Sequence, residues 1–166
     1  GHRMAGQIRS VNIPKFKDFI KEGEVYAIRN YQVDSNIGLY RSTMHKFKMV
    51  IHGMTEILKF KGDFPYFRFD FRNFVTLQDP NNVDESTLFD IIGVVVEIGS
   101  VAIKEFNGVP TKMIVFHLID LEENKLSCTL WNEYVDIFLQ HEQQHAVVEG
   151  RQWIMIINLC RAKPFD

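Results

Sequence analysis

Residues 88–98, LFDIIGVVVEI, form a near-continuous run of β-branched and apolar side chains interrupted by Asp90 and Glu97. A run of this composition reads as a strand. Downstream, Phe106-Asn107-Gly108-Val109-Pro110 is a turn, residues 112–121 are a strand, and Glu122-Glu123-Asn124 is a second turn. Residues 125–131 alternate as a strand does. Residues 134–145 place Val135, Phe138 and Leu139 on one helical face, and 151–161 form a last strand. The order strand, strand, strand, helix, strand is that of an OB-type Greek-key barrel without its closing strand.

Upstream the signals are shorter. Residues 8–13 read as a short strand, and Pro14 starts an amphipathic segment over 15–21 with Phe16, Phe19 and Ile20 on one side. Residues 24–33 alternate as one strand, and Asp34-Ser35-Asn36-Ile37-Gly38 is a turn. Residues 39–45 and 47–52 read as one long or two short strands, and Phe67, Phe69 and Phe71 alternate with Arg68, Asp70 and Arg72 as a half-buried strand. Leu77-Gln78-Asp79-Pro80-Asn81-Asn82 is linker-like. The domain reading is a leading cloning scar over 1–4, a partial OB-like unit over 5–78, and an OB-like unit over 79–166. The fold class is all-β, with one or two short helices.

The chain is 46% apolar and 13% aromatic, with fourteen Phe, enough to build a core and still keep aromatic faces for a ligand. No run approaches the ~18 apolar residues that a membrane helix needs, so no membrane partner is expected. Cys128 and Cys160 lie in apolar runs and read as buried thiols. The formal charge of −2 argues mildly against a nucleic-acid binder, but it hides an asymmetry. Residues 1–74 carry 13 Lys/Arg against 7 Asp/Glu, whereas 75–166 carry 6 against 14. A basic first half suits a phosphate backbone.

Several stretches carry a resemblance. Phe89-Asp90-Ile91-Ile92-Gly93-Val94-Val95, Leu118-Ile119-Asp120, Thr129-Leu130-Trp131-Asn132-Glu133 and Asp136-Ile137-Phe138 resemble the second DNA-binding OB fold of the replication protein A large-subunit family, most closely its plant-type members. The stretch from Phe19 to Tyr31, FIKEGEVYAIRNY, with Tyr40-Arg41 and Phe47-Lys48, resembles the back half of the preceding OB fold. The resemblance implies single-stranded DNA binding with little sequence preference, in a nucleus, in replication, repair or recombination. It implies that Tyr40, Trp131 and Phe165 stack on bases and that Arg161 contacts the strand. Arg29, Arg41, Lys48, Lys104 and Lys112 are the remaining candidate phosphate contacts. Stacking on aromatics is sequence-tolerant because every base has a π-face. Incomplete barrels leave strand edges that invite a homo-oligomer or pairing with other replication protein A-like subunits.

Each candidate has a plainer reading. Trp131 precedes the polar Asn132-Glu133, which favours an exposed ring, whereas Trp153 sits inside an apolar strand and reads as packing. Tyr40-Arg41 beside Lys46 and Lys48 also fits a solvated hairpin, and Arg29 and Tyr31 fit ordinary sheet decoration. Lys104 and Lys112 flank a turn, where charges are commonly only solvated. His141-Glu142-Gln143-Gln144-His145 matches the zinc-peptidase pattern H-E-x-x-H, but the flanking glutamines suit an exposed helix end and no third ligand follows at a usable spacing. No nucleophile elbow or phosphate loop is present. No metal, cofactor or catalysis is expected, and a protein-interaction or dimerisation module is the alternative. DNA and RNA are not distinguished by these residues.

Overall fold

The computed structural model describes residues 3–62, 69–79, 81, 83–145 and 152–163. The chain is mostly β, with a few short helices. It gathers into two compact units whose segments alternate along the sequence. One holds Gly1–Asp70, Asp84–Phe89 and Leu159–Asp166, and the other holds Phe71–Val83 and Asp90–Asn158.

In the first unit the strands are β1 (Ala5–Ile8), β2 (Tyr26–Arg29), β3 (Gln32–Ser35), β4 (Phe47–Ile51) and β5 (Glu56–Lys59), and the short helix α1 spans Ile13–Phe16. β4 pairs in parallel with β1 and antiparallel with β3, and β2 pairs antiparallel with β5. Phe16, Ile51 and Ile57 are buried together, with Ile8, Ile20, Tyr26 and Ile28 packed on them. Pro14 sits in the first turn of α1, where its missing N–H costs no helical bond.

Three strand expectations fail here for local reasons. Residues 8–13 form the end of β1 and then a helical turn over Ser10–Asn12. The single strand over 24–33 is broken at Asn30, whose φ of 58° turns the chain between β2 and β3. The Thr55 hydroxyl donates to the Asn30 carbonyl at 3.0 Å, and the Asn30 amide donates to Glu56 at 3.1 Å. Residues 39–45 form no named strand. The buried Asn36 amide donates to the carbonyls of Thr43 and His45, both at 3.0 Å, occupying acceptors that a strand would have used. Of the alternating Phe67-to-Arg72 stretch, Phe67 and Arg68 lie outside the described residues.

Arg41 is tied into this unit by its guanidinium. Nη2 donates to Asp84 Oδ2 at 2.9 Å, to the Ser86 hydroxyl at 2.9 Å and to the Thr87 hydroxyl at 2.7 Å. The backbone follows: Arg41 N donates to Ser86 O at 2.8 Å, and Leu88 N donates to Arg41 O at 2.7 Å. Hydrogen bonds from the side chains of Ser86 and Thr87, ahead of the charge of Arg41, hold the Asp84 carboxyl down at about 2. A carboxyl depressed from its ordinary ~3.9 contributes stability that is present above that value and lost as pH falls through the folded value. Asp84→Asn is therefore expected to lower the urea midpoint at pH 7. The gap from the wild type should close as the pH is taken from 4 towards 2; a gap that stays constant with pH would show that the carboxylate charge is not what stabilises the network.

In the second unit, α2 (Phe74–Gln78) ends within the stretch read as a linker, taking its first two residues, Leu77 and Gln78. Asn73 caps it by accepting from Val75 N at 2.8 Å, and Phe74 is buried. The sheet contains β6 (Phe89–Ile98), β7 (Ala102–Phe106), β8 (Val109–Ile119), β9 (Lys125–Trp131) and β10 (Trp153–Cys160), ordered β10-β6-β8-β7, with β9 also on β8. Helix α3 (Glu133–His145) lies between β9 and β10 in the chain, as the OB order requires. Its Val135 and Phe138 are buried, and the Phe138 ring lies 5.0 Å from Phe116 on β8. Cys128 is buried as read, and burial pushes its thiol up to about 12; Cys160 is only partly buried.

Gly93 on β6 marks a close approach. A β-carbon there would lie 2.8 Å from the backbone oxygen of Ile119 and 3.1 Å from Leu118 Cβ and the Phe74 ring. Backbone in a paired strand cannot move aside cheaply. Gly93→Ala is expected to destabilise the protein by about 1–3 kcal/mol, as overpacking does, in a chemical denaturation measurement. An unchanged midpoint would mean that β6 and β8 tolerate a local shift.

Candidate nucleic-acid interface

The register of the second unit decides which side chains share a face. On β7 and β8, Phe106 pairs with Val109, Lys104 with Thr111, Ile103 with Lys112, and Ala102 with Met113. On β8 and β9, Met113 pairs with Trp131. Directly paired residues point the same way and neighbours alternate. Lys104, Phe106 and Trp131 therefore lie on one face, and Lys112 lies on the other. The ring centroids of Phe106 and Trp131 are 5.0 Å apart at 82°, an edge-on contact. Both rings remain in part exposed, 46% and 36%.

Every residue of β7 is exposed, and the strand is held on one side by β8. The two-residue turn Asn107-Gly108, with φ of 51° and 78°, closes the hairpin in the conformation that matches strand twist. Lys104 projects from it with no ion-pair partner among the described residues. Lys112 is engaged: its ammonium donates to Asp136 at the start of α3. Its backbone also receives Asn132 N at 2.9 Å, bracing the turn that follows Trp131. Phe106 is the functional candidate missed from sequence. Its position at a hairpin tip beside Asn-Gly was visible, but its contact with Trp131 needed the register.

In the first unit, Tyr40 and Arg161 come together. The Arg161 guanidinium carbon lies 5.1 Å from the Tyr40 ring centroid, and Nη1 donates to the Tyr40 hydroxyl at 3.1 Å. Nη2 of Arg161 meets Glu85 Oε2 at 3.0 Å. Tyr40 is 57% exposed and has a φ of 61°, the left-handed region that a bulky side chain seldom occupies. Arg41, its neighbour, is instead spent on Asp84, Ser86 and Thr87. Arg29 pairs across the β2–β5 ladder with Glu56 at 2.6 Å. Lys48, half-buried on β4, stands opposite Asp34 in the register. Phe165 lies outside the described residues.

The H-E-x-x-H stretch falls on α3, with the side chain of His145 outside the described residues. Among the described residues no three His, Cys, Asp or Glu side chains gather as a metal site.

Residues 1–79 match the family model called Domain of unknown function DUF223. The replication protein A 70 kDa DNA-binding subunit of Xenopus laevis is 28% identical over 155 residues, and that of Danio rerio is 24% identical over 153 residues. Each match covers 88% of this chain and 25% of the relative, so the chain spans about a quarter of the length of these relatives. A chain of a replication protein A heterotrimer bound to single-stranded DNA aligns over 80% of this chain and 31% of its own, with 18% identity and a TM-score of 0.44. The sequence matches run through both units, and over them the chain is similar to the replication protein A 70 kDa DNA-binding subunit.

Proposed function

We propose that this chain binds single-stranded DNA with little sequence preference and without catalysis, in DNA replication or a related nuclear process. The observation that carries the reading is the exposed face bearing Lys104, Phe106 and Trp131. Two aromatic rings and a lysine without an ion partner among the described residues make a stacking platform with a cation beside it, the combination that binds a strand without reading its sequence. Tyr40 with Arg161 provides a second pair of the same chemistry. The relatives' description as DNA-binding subunits agrees with this reading.

Anisotropy of a labelled oligo-dT of about 20 nucleotides tests it. Trp131→Ala and Phe106→Ala are each expected to weaken binding by about 1–3 kcal/mol with the far-UV spectrum unchanged. Loss of the fold in Trp131→Ala would make that ring core, and unchanged affinity in both variants would remove the platform. The salt dependence should be shallow, with a log–log slope of about −1 to −3, because each phosphate contact on a single strand contributes roughly −0.7. Competition with oligo-rU separates DNA from RNA.

A second reading, a protein-interaction or dimerisation module, is favoured by β10. That strand is uncharged from Trp153 to Cys160, stands at the end of its sheet among the described strands, and exposes Ile154 and Ile156. Beside it an apolar cleft of about 710 Å³ is lined by Leu130, Ile137, Phe138 and Trp153 among others. Uncharged edges of this kind are usually guarded or covered. Light scattering over a concentration series, with no oligonucleotide present, tests for self-association through it.

A further inference from the structure

The acidic pair Asp84-Glu85 meets two of the candidate strand-binding arginines, and it meets them differently. Asp84 shares Arg41 with two hydroxyls, and the Arg41 side chain is 26% exposed. That arginine is locked. Glu85 holds Arg161 by one ion pair at 3.0 Å, with the two side chains 45% and 40% exposed. Arg161 meanwhile lies against the Tyr40 ring and bonds its hydroxyl, a second hold on the guanidinium that does not involve Glu85. A phosphate oxygen offers Arg161 what the Glu85 carboxylate offers: an anionic acceptor at hydrogen-bond distance.

We propose that Glu85 is a built-in competitor for the phosphate backbone, occupying Arg161 in the free protein and lowering the affinity of the Tyr40–Arg161 site for a single strand. This rests on the strand-binding reading given above. On binding, a phosphate replaces the carboxylate on Nη2, Glu85 turns to solvent, and a base takes the exposed part of the Tyr40 ring. The exchange is feasible because a single exposed ion pair is weak, whereas the several bonds of Arg41 to Asp84, Ser86 and Thr87 make that arginine a poor candidate for the same exchange.

The test is oligo-dT anisotropy at low salt with the wild type, Glu85→Gln, Arg161→Gln and the double variant, alongside Glu22→Gln as a matched loss of one negative charge elsewhere. Glu22 is exposed and outside the proposed sites. Removing a competitor of this strength is expected to tighten binding about 2- to 5-fold in Glu85→Gln. That gain should vanish when Arg161 is also changed, the signature of coupled residues. Unchanged or weakened binding in Glu85→Gln, or an equal gain in Glu22→Gln or in the Arg161→Gln background, overturns the competitor role while leaving strand binding intact. Binding by Glu85→Gln with none by the wild type supports a stronger form of it. Absence of binding by both overturns strand binding itself and the competitor role with it.

Discussion

The second unit depends on β8 being hydrogen-bonded along both edges. One edge carries β9 from Met113 to Ile119, and the other carries β7 over its first half and β6 over its second. A strand held on both sides cannot slip by one residue without turning every neighbour's side chains to the wrong face. That constraint fixes Phe116 and Leu118 in the interior, and through Met113 opposite Trp131 it fixes where the aromatic platform points. The β6–β8 ladder absorbs a register shift between Val95 and Glu97, so the adjustment falls on β6 and leaves β8 regular.

The platform is built from parts of unequal stability. Trp131 ends β9 and is braced by Asn132, whose φ of 48° turns the chain into α3. Phe106 stands at the tip of a hairpin whose outer strand is wholly exposed. Its backbone bonds face water and little apolar surface is buried beneath them, the features of a segment that opens ahead of the global transition.

Elements defined by long patterns were legible in the sequence. The apolar run at 88–98, the alternation at 125–131 and the Val135, Phe138, Leu139 face each correspond to one observed element, β6, β9 and α3. What was not legible depends on single polar side chains acting at a distance. Asn36 takes the carbonyls of Thr43 and His45, and no pattern in 39–45 reveals this. Asn30 breaks an alternating run because its backbone turns left-handed there, supported by Thr55 and Glu56. Asn73 caps a helix that runs into the stretch read as a linker from Leu77 onward. At the candidate site, residue types were readable but partners were not. Lys104 and Lys112 look equivalent beside a turn, until the register sends them to opposite faces.

Those partners also bear on the proposed binding of a polyanion by a chain of net charge −2. Arg29 is paired with Glu56, Arg41 with Asp84, Lys112 with Asp136, and Arg161 with Glu85. Counting basic residues in the sequence therefore overstates the positive field, because most of the candidate cations carry a carboxylate within ion-pair distance. A strand approaching such a surface gains little from long-range attraction. On the proposed reading its affinity comes from contacts that do not depend on net charge, and base–aromatic stacking is the one that the exposed side chains offer. On the proposed reading, the near-neutral charge and the exposed rings agree: at each site the bases supply the adhesion, and the few exchangeable cations hold the backbone.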